Sequence, residues 1–255
     1  MNDAVDAISS YEAWQSSPEG RYVHKRIYQL LTALLNPQGG ERLLDVGCKT
    51  GHALAFFRAR GFQVTGMETS RPVLDAARRR MEGKASLHLG ALEDLPFSDN
   101  EFDVVTMIAS LESTRDPYRA LSEAVRVSNG RVCLGLFNRT SLSAHRLRVS
   151  GIPGKAVNSF GIFETMRMAR GILSNVPVDW GSVIFFPLRW YPHAETVESR
   201  VPMMKNPFGS FAALSFPVIY THRTLQEPIG VKPPATLRES GRVAGTACKT
   251  RGGLL

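Results

Sequence analysis

From Arg42 to Phe137, short apolar runs alternate with amphipathic stretches of helical period. Residues 43–46 read as a buried strand ending at a glycine, and residues 52–60 as a helix with Gly61 as its C-cap. Residues 62–67 form the next strand, and residues 71–81 the next helix, with Pro72 in its first turn. Residues 85–89 and 102–108 follow as strands, the second carrying the uninterrupted run VVTMI. Residues 116–127 read as a helix in which Asp116 caps the turn before Pro117, and residues 131–137 as a fifth strand. Strand and helix in alternation with short connections predict parallel βαβ units, whose right-handed crossovers put helices on both faces of the sheet.

The flanks read differently. Residues 1–35 have a helical pattern, with Tyr11 and Trp14 on one face and an apolar stripe over residues 27–35. Residues 138–159 are loop-like or loosely helical, residues 160–173 a helix and residues 181–188 a strand. An aromatic and proline-rich stretch, residues 189–207, leads into a last strand or strand pair over residues 208–220. Residues 226–255 contain no aromatic residue and many Gly, Pro and Thr, the composition of a disordered tail.

Composition changes this picture little. At 43% hydrophobic and 21% charged residues, the chain has the make-up of an ordinary globular protein. The apolar run at residues 208–220 is too short for a bilayer and is broken by Pro217, and the first residues lack a basic leader pattern, so a cytoplasmic protein is expected. Cys48, Cys133 and Cys248 are isolated from one another, and no CxxC or Cys/His cluster supports a disulfide frame or a metal site. The net charge of +8 permits an acidic partner. Yet the one run of three basic residues, Arg78–Arg80, sits where a helix C-terminus favours cations without any partner, so nucleic acid is not favoured.

The chemistry gathers at the first strand. Asp45 precedes Gly47, and Gly51 closes the turn before a helix whose free N–H groups face whatever lies there. Asp45 can accept a hydrogen bond from an ammonium or order the loop. Glu68, twenty-three residues after Asp45, stands at the end of the second strand, where an acid can take both ribose hydroxyls. The glycine spacing fits neither the dinucleotide fingerprint nor a P-loop. His145, His193 and His222 are scattered, and Trp190 and Tyr191 are further aromatic candidates for a substrate pocket.

Taken in order, LLDVGCKTGH, VTGMETS, GALEDLPFSDNEFDVV and DPYRALSEAVRVSNGRVCLGLFN resemble the successive motifs of class I S-adenosylmethionine methyltransferases, most of all the small-molecule and quinone enzymes of the Methyltransferase-11 type. The resemblance covers residues 42–138. It implies a Rossmann-like, doubly wound α/β fold with a mostly parallel seven-stranded sheet, helices on both faces and a reversed last strand. It implies S-adenosylmethionine as cofactor, held at its methionine end by Asp45, Gly47 and Gly51 with Cys48 and Lys49 in the same loop. Glu68, with Thr69 beside it, would take the ribose. Ala91 and Leu92 would pack the adenine, and Ile108 would pass the methionine moiety. Residues 1–225 would form one domain, with a helical lid at 1–40 carrying Tyr11 and Trp14, a cofactor core at 41–138, and substrate-side elements at 139–225 that include Asn138 at their border.

The sequence departs from that family at three places. Lys49 replaces the middle glycine of the first loop, where its ammonium either pairs with the cofactor carboxylate or points to solvent. Ala91 replaces a frequent acid or amide. Ser128-Asn129-Gly130 is a reduced form of the turn before the fifth strand. The expected activity is methyl transfer to a small organic or lipid-like acceptor. The alternatives are a non-catalytic cofactor-binding protein with a regulatory or assembly role and, on the +8 charge alone, an RNA methyltransferase. No general base and no oligomeric state are legible.

Overall fold

Parallel βαβ winding is what the chain adopts. The computed structural model describes residues 2–141, 158–174, 176–190 and 194–218. Seven strands, β1 (Arg42–Val46), β2 (Gln63–Glu68), β3 (Ser86–Leu89), β4 (Phe102–Ile108), β5 (Ser128–Phe137), β6 (Asp179–Val183) and β7 (Phe211–Pro217), form one sheet in the order β3-β2-β1-β4-β5-β7-β6. β1 pairs in parallel with β2 and β4, β2 with β3, and β4 with β5. β7 is antiparallel to both β5 and β6, so the expected reversed last strand is present and is inserted between them.

Both faces of the sheet are buried, which is why β1 and β4 read as continuous apolar runs. Leu44, Val46, Val105, Met107, Val132, Leu134, Leu214 and Phe216 point to one side, against α5 (Pro117–Arg126) and α6 (Ile162–Leu173). The alternate positions Leu43, Val104, Cys133, Phe137, Phe211 and Ala213 face α2 (Pro18–Leu35), α3 (His52–Arg58) and α4 (Arg71–Met81). Asp45 and Thr106, partners in the β1–β4 register, are polar insertions on this second face. Residues Met1–Tyr220 form one compact unit.

Several boundaries differ from the sequence reading, each for a local reason. The N-terminal helical stretch is two helices, α1 (Asn2–Ser16) and α2. Ser17 breaks them in extended conformation, its hydroxyl accepting from Gly20 N at 3.0 Å ahead of Pro18. α3 ends at Arg58 because Arg60 N and Gly61 N tighten onto the i−3 carbonyls of Phe57 and Arg58, both at 2.9 Å, so Gly61 lies beyond the cap. β5 begins at Ser128, not Arg131: Ser128 pairs with Phe102, and the register shifts before Val104. Gly130 makes that irregular pairing possible, since a Cβ there would lie 2.5 Å from the Asp103 carbonyl oxygen. β6 stops at Val183, short of the apolar run's end, because Ile184 turns to φ +66 and gives its N–H to buried Glu198 at 2.6 Å. Glu198 closes α7 (Ala194–Glu198) within the aromatic stretch. Residues 142–157 of the expected loop, Tyr191, the three scattered histidines and the whole expected tail lie outside the described residues.

Candidate functional site

The carboxyl ends of β1, β2 and β4 meet at the point where the strand order reverses, the place where open α/β sheets bind ligands. The β1–α3 turn is wrapped tightly there. Gly47 N and Cys48 N both donate to the Met67 carbonyl of β2, at 2.8 and 2.9 Å. Gly47 sits at φ +80, and a Cβ on it would lie 2.4 Å from Ser110 Cβ. Only glycine therefore lets the loop after β4 come this close. That second loop is anchored by the Ser110 hydroxyl, which donates to the Val46 carbonyl at 2.7 Å.

Glu68 ties the β1–α3 turn to the turn that follows β2. Its Oε1 accepts from Thr69 N at 2.8 Å, Ser70 N at 3.0 Å and the Thr69 hydroxyl at 3.1 Å, while Oε2 accepts from Lys49 N at 3.0 Å. A carboxylate offers about four lone-pair positions. Three donors share the two positions of Oε1 and one donor uses Oε2, so Oε2 keeps one open position for a ligand hydroxyl. Glu68 borders a cavity of about 210 Å³ shared with Gly47, Thr69, Val73, Leu92, Ser110 and Ser113. Carboxylate on one side and apolar Leu92 and Val73 on the others suit a polar sugar joined to a flat base.

A second cavity, of about 60 Å³, continues from the first on the α2 side of the turn. Asp45, Cys48, Ile108, Tyr11, His24, Tyr28, His52, Phe137 and Phe211 line it. Asp45 is buried and accepts the Thr106 hydroxyl at 2.8 Å. Burial pushes its carboxyl up to about 6, against the opposing pull of Thr106 and of the Lys49 ammonium. Burial also lowers both imidazoles, His52 to about 4 with help from Arg80, so they stand neutral near pH 7. The wall is closed by α1. Glu12 accepts from Arg80 at 2.5 and 3.0 Å and lies 3.2 Å from His52 Nε2, and Tyr11 sits edge-on to His52.

Lys49 does not run out to solvent. It adopts φ +52, and its side chain runs inward to donate from Nζ to the Ile108 carbonyl at 3.2 Å. It lines both cavities. Burial lowers the ammonium's pKa, and the carboxylates of Glu112, Glu68 and Asp45 pull it back up.

Of the residues named from the sequence, Tyr11, Asp45, Gly47, Cys48, Lys49, Glu68, Thr69, Leu92 and Ile108 therefore converge on the two adjoining cavities. Four others do not. Gly51 packs against Ala77 of α4, Ala91 is exposed beside Leu92, and Trp14 stacks on Tyr11 and meets His24 edge-on. Asn138 is fully buried, donating to the carbonyls of Pro207 and Gly209 and accepting from Thr140, which makes it a pin for the β7 approach. Trp190 is exposed. Sequence reasoning missed His24, Tyr28 and His52 as wall residues. The one available signal was the i, i+4 spacing of His24 and Tyr28 on the helix, beneath an apolar stripe that reads as plain core.

The donor set suits a nucleoside carrying an amino-acid tail. The cradle that a Cβ on Gly47 would fill and the open acceptor on Glu68 fit the nucleoside, and buried Asp45 and the Ile108 carbonyl are acceptors for an ammonium. Residues 44–134 match the family model described as a methyltransferase domain. Over 112 residues the chain is 35% identical to a demethylmenaquinone methyltransferase of Clavibacter sepedonicus, covering 42% of this chain and 45% of that protein. It is 36% identical over 132 residues to a malonyl-[acyl-carrier protein] O-methyltransferase of Serratia marcescens, covering 50% and 51%. The chain thus spans about half the length of these curated relatives. Among solved structures, an S-adenosylmethionine-dependent methyltransferase of Thermotoga maritima, titled a possible histamine N-methyltransferase, shares the fold with TM-score 0.67 at 23% identity, over 83% of this chain and 96% of that one. The matched segment runs from β1 into β5 and so carries the Gly47–Glu68 cradle, and over this segment the chain is similar to S-adenosylmethionine-dependent methyltransferases, whose fold it shares.

Proposed function

We propose that this chain transfers a methyl group from S-adenosylmethionine to a small organic or lipid-like acceptor. The observation that carries the reading is a pair of cavities that share Gly47 and Lys49: one bordered by Glu68 and suited to a nucleoside, the other walled by Tyr11, Ile27, Tyr28, Phe137 and Phe211. Relatives are named for demethylmenaquinone, for ubiquinone biosynthesis and for malonyl-[acyl-carrier protein], and an acceptor of the quinone type would suit such a wall.

In this reading Glu68 and Thr69 hold the ribose, Leu92 flanks the base with Ala91 beside it, and Asp45, Gly47 and Ile108 meet the amino-acid end, with Cys48 and Gly51 shaping the turn. The bound cofactor supplies an activated methyl group on a good leaving group. The chain's own task is then alignment and exclusion of water, effects that can contribute about 7–11 kcal/mol. Tyr11 and α1 close the cavity as part of a lid at 1–40, over the core at 41–138 and the acceptor-side elements at 139–225. For a hydroxyl acceptor, His24 and His52 are the neutral imidazoles on the wall. His24 Nδ1 lies 2.8 Å from the Gly20 carbonyl and Nε2 2.9 Å from Gln15 Nε2, so the Nε2 lone pair faces the Gln15 amide. No helix among the described residues is long and apolar enough to cross a membrane. A cytoplasmic site of action without a nucleic-acid partner completes the reading.

The test is incubation of the full chain with S-adenosylmethionine labelled in its methyl group and a panel of quinols, phenols and fatty acyl groups. Label extracted with one of these classes supports the proposal. Folded, cofactor-binding protein that labels none of them, or labels only RNA, overturns it. Lys49 lends weight to a second reading, binding without turnover, because it sets a cation inside the site.

A further inference from the structure

Lys49 is the residue of the site that the methyl-transfer reading leaves without a task. Three observations define it. Its backbone is in the left-handed region at φ +52, which is unfavourable for an L-residue, and it is held there by the bond from its N–H to Glu68 Oε2. Its side chain borders both cavities, crossing from the nucleoside side to the wall of Tyr28 and His24. Its ammonium donates to the Ile108 carbonyl at 3.2 Å and is attracted by Asp45, Glu68 and Glu112. Asp45 and Glu112 are 1% and 3% exposed, so water compensates their charge poorly.

A buried carboxylate group of this kind holds a cation until another replaces it. The amino group of an S-adenosyl ligand is such a replacement, since it can take the same Ile108 carbonyl and the same carboxylates. Exchange of one ammonium for the other is close to neutral in charge. The sulfonium is not part of that exchange. Lys49, displaced from that seat but tethered in the loop, keeps its charge beside the cavity, so the sulfonium adds a further positive charge there, whereas the thioether nucleoside formed by methyl loss adds none.

We propose that Lys49 is a resident cation that competes for the amino-group seat of the cofactor and biases the site toward the neutral thioether, S-adenosylhomocysteine, over the sulfonium, S-adenosylmethionine. The inference rests on the nucleoside-site reading above. A site so biased retains its product and turns over only where another reaction removes that thioether.

The experiment is a calorimetric titration of both ligands into the full-length wild type, Lys49→Met and Lys49→Gly, each checked for folding by circular dichroism. Lys49→Met keeps the bulk and removes the charge, and Lys49→Gly removes both. Charges sharing a poorly hydrated space repel strongly. The ratio of the sulfonium's dissociation constant to the thioether's should therefore fall about tenfold or more in Lys49→Met. In Lys49→Gly the same fall should come with tighter binding of both ligands. An unchanged ratio in both variants overturns the inference while leaving the nucleoside site standing. Weaker sulfonium binding in Lys49→Met also overturns it, and would assign the lysine to the cofactor carboxylate. Folded proteins that bind neither ligand, variants included, remove the nucleoside-site reading itself and the inference with it.

Discussion

Replacing Glu68 with alanine tests how the site is held as well as what it holds. The carboxylate accepts three backbone N–H groups, from Lys49, Thr69 and Ser70, and one hydroxyl, from Thr69. Alanine removes the acceptor and leaves three main-chain donors unmatched. Hydrogen bonds to a charged partner contribute about 1.5–3 kcal/mol each, but these donors border a cavity that water can enter, so about 1 kcal/mol each is the appropriate end of the range for unmatched groups. The expected loss is then about 3 kcal/mol. For a domain of this size each kcal/mol shifts Tm by about 2–4 °C, which gives a fall of about 6–12 °C. Glu68→Gln keeps one carbonyl oxygen for Thr69 and Ser70 but turns an N–H₂ toward Lys49 N, and should lose about a third as much. Thermal unfolding followed by circular dichroism reads both values. A fall under 2 °C for Glu68→Ala would show that these bonds do not brace the turns. Because the residue braces the turns, loss of ligand binding in Glu68→Ala is informative only beside Glu68→Gln, which should retain the fold and weaken nucleoside binding.

Three further outcomes follow from the same geometry. Gly47→Ala places a Cβ 2.4 Å from Ser110 Cβ at φ +80, so it should destabilise by at least about 1–2 kcal/mol and abolish nucleoside binding; Ser110→Gly added to it should recover part of the stability, and additive losses would refute the contact. Burial raises the folded-state pKa of Asp45 to about 6, so its contribution to stability is complete below about pH 4 and is lost as pH rises through 6. Two units correspond to about 3 kcal/mol, so Tm of Asp45→Asn relative to wild type should rise between pH 4 and pH 8, and a constant difference would contradict the assignment. Glu12→Ala removes the tie from α1 to Arg80 and His52; both partners are part-exposed, so global stability should change by under about 1 kcal/mol while hydrogen exchange over residues 2–16 accelerates. Unchanged exchange there would mean that α1 is held by its aromatic contacts alone.

The sheet was legible because its signals are local and redundant. Arg71–Met81 and Phe102–Ile108 were placed to the residue, the first by Pro72 and its helical period, the second by an apolar run that burial on both faces explains. Boundaries failed where a tertiary partner decides them: Ile184 leaves β6 for the side chain of Glu198, and Ser128 joins β5 by way of Phe102 on β4. In the site, Asp45, Gly47 and Glu68 stood out because strand ends and glycine turns are written in order along the chain. His24, Tyr28 and His52 did not, since helices distant in sequence bring them together. The inward course of Lys49 was equally hidden. It depends on a positive φ held by Glu68 and on a carbonyl fifty-nine residues away.

The account turns on a nucleoside site at the carboxyl ends of β1 and β2. Its most direct test is a titration of the folded full-length chain with S-adenosylhomocysteine, which avoids the charge of the sulfonium. The account predicts one ligand per chain, with a dissociation constant within the range of about 1 µM to 1 mM common for enzyme ligands, weakened at least about tenfold by Glu68→Gln. Absence of binding at millimolar ligand, or binding that Glu68→Gln leaves unchanged, would contradict it.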